Sequence, residues 1–169
     1  MELNNTIASS ITGGDSFCFL EIAATGGPMI DNPQILAMHQ GKFPVYDVFF
    51  QIKDQDKVEA VIKSESAWKD GLIIEHLNEN SISFNVGTCT PGLVKMLRRL
   101  SLGSGKERRF TVTITARNGL YNQSISCKRI NGAWKIASKV THLNGVNRVT
   151  LHERIDPGFP KNSIGQIDW

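Results

Sequence analysis

Three features of the sequence predict an all-β fold, an antiparallel β-sandwich with a C-terminal four-stranded meander. Three Asn-Gly pairs, Asn118-Gly119, Asn131-Gly132 and Asn144-Gly145, interrupt segments in which apolar and polar residues alternate. Each pair reads as a two-residue hairpin loop, because Asn and Gly both accept the positive φ that a type I′ turn demands. Eight or nine short strand-like runs follow one another with turn residues roughly every 8–12 positions, the spacing of a two-sheet sandwich.

Taken in order, residues 1–14 are small and polar, with Ser9-Ser10 and Gly13-Gly14, and read as a flexible lead-in. A single domain is expected over residues 15–155, which suits a 169-residue chain with 40% hydrophobic content. Its first strand is the apolar run 16–23, ended by Gly26-Gly27-Pro28. A second strand covers 34–40, and Gly41-Lys42-Phe43-Pro44 turns the chain into a third over 45–53. There Tyr46, Val48, Phe50 and Ile52 are expected to face the core, since they form the continuously apolar set. Residues 58–63 suggest a short edge strand and 64–71 a loop or helical turn containing Trp68. Strands are expected at 72–77 and 81–86, joined through Asn78-Glu79-Asn80. Residues 90–102 admit two readings. Thr90 as N-cap, Pro91 in the first turn and Leu93, Val94, Leu97 and Leu100 at helical spacing favour a helix, while the strand-rich surroundings favour an extended segment.

In the meander, two-residue Asn-Gly loops place Phe110 opposite Cys127, Val112 opposite Ile125 and Ile114 opposite Gln123. The rows continue to Ile136, Ser138 and Val140, and two of them to Leu151 and Val149. Nearly all apolar side chains then share one face. The other face carries Thr111, Thr113, Thr115, Ser124, Ser126, Lys128, Lys135 and Lys139 and suits water. Lys128 falls opposite Lys135, and Arg129 falls opposite Trp134, where it can lie over the ring. After the meander, Asp156-Pro157-Gly158-Phe159-Pro160 ends regular structure, and residues 156–169 read as an irregular tail.

Charge is divided unevenly. Residues 1–90 hold 12 acidic and 5 basic side chains, and residues 91–169 hold 4 acidic and 14 basic. In a two-sheet sandwich this asymmetry is expected to serve as complementary surfaces within one fold; an acidic partner is the alternative. Cys18, Cys89 and Cys127 lack metal-ligand spacing and read as buried thiols acting as small hydrophobes, which suggests a reducing compartment. The N-terminus lacks the basic start and apolar run of a signal peptide, and no apolar run approaches the ~18 residues of a membrane span. A soluble, cytoplasmic chain is the resulting expectation.

The segments Gly41-Lys42-Phe43-Pro44-Val45-Tyr46-Asp47-Val48, Val86-Gly87-Thr88-Cys89-Thr90-Pro91-Gly92 and Phe110 through Gly119 resemble the immunoglobulin-like modules of bacterial proteins, over about residues 15–123. Gly13-Gly14-Asp15-Ser16, Ala116-Arg117-Asn118-Gly119 and Asp156-Pro157 also resemble an uncharacterised bacterial family. The likeness implies an immunoglobulin-like sandwich that presents a surface to another protein or to a further domain of a longer parent chain. It implies no activity and no cofactor.

Candidate sites follow from the residues themselves. Lys95, Arg98, Arg99, Lys106, Arg108 and Arg109 crowd six cations into fifteen positions, with Glu107 the only acid. Such a run can bind the phosphates of nucleic acid or acidic lipid, or simply form a solvated face. Gly105-Lys106 is no phosphate loop, because Leu100 stands where a Gly is required and Glu107 follows the lysine. The register sets Tyr121 opposite His142, with Gln123 on the same face and Asn147 opposite His142. That polar cluster is either the hydrogen-bonded rim of the sandwich or a small binding pocket. An enzyme centred on His142 is the least favoured reading, since the register places neither a nucleophile nor an orienting carboxylate beside it. No metal site is expected: His39, His76, His142 and His152 lie on separate segments, and Asp54, Asp56 and Glu59 suggest a solvated acidic loop without the rest of a calcium site. The leading expectation is therefore a non-enzymatic binding or interaction module, with an anion binder acting through residues 95–109 as the alternative.

Overall fold

The computed structural model describes residues 2–23, 31–64, 78, 80–144 and 147–169. The elements run α1 (Glu2–Thr12), β1 (Phe17–Ala23), β2 (Gln34–Gln40), β3 (Val45–Asp54), α2 (Gln55–Lys63), β4 (Ser81–Cys89), β5 (Val94–Arg99), β6 (Glu107–Ala116), β7 (Gly119–Ile130), β8 (Ala133–Asn144) and β9 (Asn147–Ile155). Two antiparallel sheets pack together, one in the order β1-β2-β5 and the other in the order β4-β3-β6-β7-β8-β9. Cys18, Leu20, Ile22, Ile35 and Ala37 of the smaller sheet meet Val48, Phe50, Ile52, Val112, Ile114 and Val140 of the larger one in a continuous buried core. Among the described residues no helix is long and apolar enough to cross a membrane. The expected turn at Gly26-Gly27-Pro28, Trp68 and the expected strand at 72–77 lie outside the described residues.

Only the central hairpin keeps the expected register. Asn131 and Gly132 have φ of 50° and 81°, and the pairing runs from Ile130 opposite Ala133 to Tyr121 opposite His142. Lys128 opposes Lys135, and Arg129 opposes Trp134 with its guanidinium 4.8 Å from the ring centroid. In the first hairpin the loop is Arg117-Asn118, because Ala116 pairs with Gly119, so Phe110 faces Ile125 and Ile114 faces Tyr121. Tertiary contacts select this turn: the Arg117 N–H donates to the Tyr46 carbonyl (2.9 Å) and the Asn118 amide donates to the Ser16 carbonyl (2.6 Å). A shift of two residues leaves every side chain on its expected face.

The third hairpin departs further. Asn144 pairs with Asn147, and Gly145 lies outside the described residues. The pairing then jumps from Thr141 opposite Thr150 to Val140 opposite His152, so Leu151 is the extra residue of a bulge. An odd shift exchanges faces. Val140 and Ser138 therefore meet His152 and Arg154 instead of the expected Val149 and Leu151. His152 stacks on Phe19 of β1 at 4.5 Å, Arg154 forms ion pairs with Glu21 of β1 and with Asp156 (3.0 Å), and Val149 is left half exposed.

A second bulge corrects β3. Val48, Phe50 and Ile52 are buried as expected, but Asp47 at φ 57° interrupts the alternation, so Val45 turns inward and Tyr46 outward. Tyr46 carries Arg117 over its ring at 4.7 Å and donates its hydroxyl to Ser10 of α1 (3.1 Å).

Helices replace two expectations. Residues 1–14 contain α1 instead of a flexible lead-in; Gly13, at φ 94°, ends it by donating to the Ser9 carbonyl. The edge strand expected at 58–63 is α2, whose N-cap Asp54 accepts from the backbone N–H groups of Asp56 and Lys57. At 90–102 the extended reading holds. Pro91-Gly92 closes a turn in which the Leu93 N–H donates to the Thr90 carbonyl, and residues 94–99 then pair with β2 as β5.

The tail after β9 has no helix or strand, as expected, yet it covers part of the face that the sequence assigned to water. Phe159 is buried beneath Lys128, Trp169 lies under Lys139 at 4.2 Å, and Ser126 and Ala137 are buried.

Candidate functional site

The basic run is not an uninterrupted cationic surface, because α2 and its cap bring carboxylates to two of its members. Arg108 and Arg109 open β6 beside the start of α2, where Arg108 meets Asp54 (3.3 Å) and the Leu102 carbonyl (3.0 Å). Arg109 meets Asp56 (3.3 Å) and Glu59 (2.7 Å). The hydrogen bond from Arg109 holds the Glu59 carboxyl below its usual range and raises the guanidinium correspondingly. The acidic segment Asp54, Asp56 and Glu59 is thus the cap and first turns of a helix bonded to two arginines, not a solvated loop.

Of the remaining cations, Lys95, Arg98 and Arg99 lie on β5, at the edge of the smaller sheet among the described residues. Arg98 and Arg99 line a cleft of about 170 Å³ together with Lys57 and Asp54, over a floor that includes the buried Ile52 and Phe110. Asp54 is engaged by Arg108 and by the α2 backbone, so the balance of charge at the mouth is positive. Lys95 is exposed on the same strand, and its charge acts on the Cys89 thiol. Lys106 is exposed in the approach to β6.

The same distribution accounts for the charge asymmetry. Glu21, Asp31, Asp47, Asp54, Asp56 and Glu59 from the first half pair with Arg154, Arg129, Arg117, Arg108 and Arg109 from the second. Opposite charges far apart in sequence bind the fold to itself.

Tyr121, Gln123 and His142 are brought together as the register predicts. The Tyr121 and His142 rings lie 4.8 Å apart, and burial pushes the Tyr121 hydroxyl up from its ordinary value. Gln123 is fully buried and its amide serves the other sheet. Its oxygen accepts from the Leu20 N–H (2.9 Å), and its nitrogen donates to the Leu20 carbonyl (2.6 Å) and to the Ser138 hydroxyl (2.7 Å). One side chain therefore closes the open hydrogen-bonding edge of β1 as a neighbouring strand would. His142→Ala is expected to lower unfolding stability by about 1–2 kcal/mol, through loss of ring packing on Tyr121. Urea unfolding measures it, and a variant as stable as the parent would indicate a ligand-binding histidine in place of a packed one.

Among the described residues no three His, Cys, Asp or Glu side chains stand together as a metal site, and His76 lies outside those residues. Two features escaped the sequence reading. On β5, Val94 and Met96 are 57% and 60% exposed at the sheet edge. On the outer face of the larger sheet, Lys139, Arg148 and Trp169 border a depression of about 420 Å³. The exposed pair alternates with Lys95 and Leu97, a period-two signal obscured by the competing helical spacing. Trp169 gave no local signal, since only the path of the tail brings it to Lys139. Comparison of the chain with family models, with curated proteins and with solved structures gives no match.

Proposed function

We propose that this protein is a non-enzymatic binding module of immunoglobulin-like type, which engages an acidic, extended segment of a partner protein along β5. The observation that carries the reading is the composition of that edge. Among the described residues β5 is the last strand of its sheet, with Val94 and Met96 exposed and Arg98 and Arg99 beside them at the cationic cleft. A strand edge offers backbone donors and acceptors to a second strand, alternate apolar side chains offer grip, and positive charge selects acidic partners. The opposite edge, β1, is closed to such addition at Leu20 by Gln123. Nucleic acid and acidic lipid fit less well, because Arg108 and Arg109 are already occupied by carboxylates.

Fluorescence anisotropy with labelled peptides tests the reading. A peptide alternating Glu and Val is expected to bind at low salt and weaken as salt rises, whereas its Lys-Val counterpart does not bind. Arg98→Ser with Arg99→Ser is expected to reduce affinity at least about tenfold, the order expected for losing two charge contacts at an interface. Tighter binding of a DNA duplex or of phosphatidylserine vesicles would replace this reading with the polyanion one. Absence of binding to any of these probes would remove both.

A further inference from the structure

Cys18 and Cys89 come from opposite sheets and lie in one buried cluster. Cys18 lies on the core face of β1, opposite His39 of β2. The backbone N–H of His39 donates to the Leu93 carbonyl (3.2 Å), and Leu93 closes the Thr90 turn (3.0 Å) that begins immediately after Cys89. Cys89, the last residue of β4, pairs with Val45 at the start of β3, so the chain leaves the larger sheet at this residue and reaches the smaller one near the level of Cys18. Both side chains are buried, and both are free thiols.

Their chemistry is unequal. The Cys18 thiol is pushed up because it hydrogen-bonds to Cys89 and because it is buried. The Cys89 thiol is pulled down by that hydrogen bond and, more weakly, by the Lys95 ammonium, against the cost of burial. Cys127, buried without a second thiol, is pushed up to about 12 by desolvation. Cys89 is thus the more readily ionised of the two and has a second thiol beside it, whereas Cys127 has none.

We propose that Cys18 and Cys89 are a modification site which hydrogen peroxide closes into a disulfide between the two sheets, leaving Cys127 reduced. The Cys89 thiolate attacks one peroxide oxygen; the S–O bond forms, the O–O bond breaks, and the departing hydroxide takes up the proton that Cys89 had lost. The Cys18 sulfur then attacks the Cys89 sulfenic acid; the S–S bond forms, the S–O bond breaks, and the Cys18 proton leaves with the hydroxyl as water. Two thiols are oxidised and one peroxide is reduced to two waters. The bridge ties β1 to the end of β4 and constrains the unfolded chain over a long loop.

The test treats the intact, folded chain with a modest excess of hydrogen peroxide, followed by alkylation in denaturant, mass spectrometry and peptide mapping. The expected product is lighter than the parent by about 2 Da before alkylation, then takes up one alkyl group, at Cys127, and yields a linked pair of peptides containing Cys18 and Cys89. Its melting temperature rises by about 10 °C and returns on addition of dithiothreitol. The Cys127→Ser variant is expected to form the same link. A link through Cys127, oxygen addition without a link, or three alkylated thiols would each overturn the proposal.

Discussion

Gln123→Leu is expected to destabilise the protein by about 4 kcal/mol, lowering its melting temperature by roughly 8–16 °C. The side chains are similar in size, so the loss is one of hydrogen bonding. The Leu20 N–H and carbonyl and the Ser138 hydroxyl lose their amide partner inside the sandwich, where no strand replaces it. Each stranded buried group costs about 1–3 kcal/mol, against a typical total stability of about 5–15 kcal/mol. Gln123→Glu separates the donor from the acceptor. An ionised carboxylate accepts from the Leu20 N–H but repels the Leu20 carbonyl, whereas the protonated acid can serve both, as the amide does. The folded-state pKa of the introduced acid is therefore raised above its unfolded value of about 4.3. Its stability relative to the parent is greatest below the unfolded pKa and falls as pH rises through the folded one. Urea titrations at several pH values check both variants. Unfolding of Gln123→Leu at the parent's midpoint would show that this bridge does not hold the sheets together.

Gly41→Ala is expected to cost about as much, roughly 4 kcal/mol, for a different reason. Gly41 has φ of 122°, and a Cβ there would stand 2.6 Å from the Ser16 Cα, a backbone atom that cannot rotate away. Backbone strain and overpacking contribute about 1–3 kcal/mol each. Gly132→Val isolates the conformational part. Gly132 has φ of 81° with open space around it, so this variant is expected to lose little more than about 1 kcal/mol. Guanidinium unfolding of the two variants beside the parent gives the difference. Equal losses would mean that the packing of Gly41 on Ser16 carries no weight. The same contact places the Ser16 hydroxyl to accept from the Phe43 N–H (2.9 Å), so damage at Gly41 reaches the start of β1 and the turn before β3.

The two strongest candidate sites differ in how far local sequence reveals them. Arg98 and Arg99 were visible as charge, but the pairing of Arg108 and Arg109 with carboxylates was not, because it depends on α2 bringing Asp56 and Glu59 to β6. The α2 signal itself was present: Asp54 as a cap, then Val58, Val61 and Ile62 at helical spacing. The cysteines were read as buried, and all three are buried. That two of them meet depends on the crossing from β4 to β5, and no spacing along the chain encodes it.

Sequence alone determined the properties that repeat along a strand: the predominance of antiparallel sheet, the Asn131-Gly132 turn, and the residues of β6, β7 and β8 that face inward. Alternation with period two is a local property, and it survives a register shift of two, which is why the core of β6 was legible while its partners were not. Tertiary structure decided whatever depends on a single inserted or displaced residue. The bulge at Asp47 turned Tyr46 outward to Arg117, and the bulge at Leu151 turned His152 and Arg154 toward β1. A bulge is favoured by the contacts it creates with distant segments, so its location follows from the packing of the sheets and not from the residues beside it.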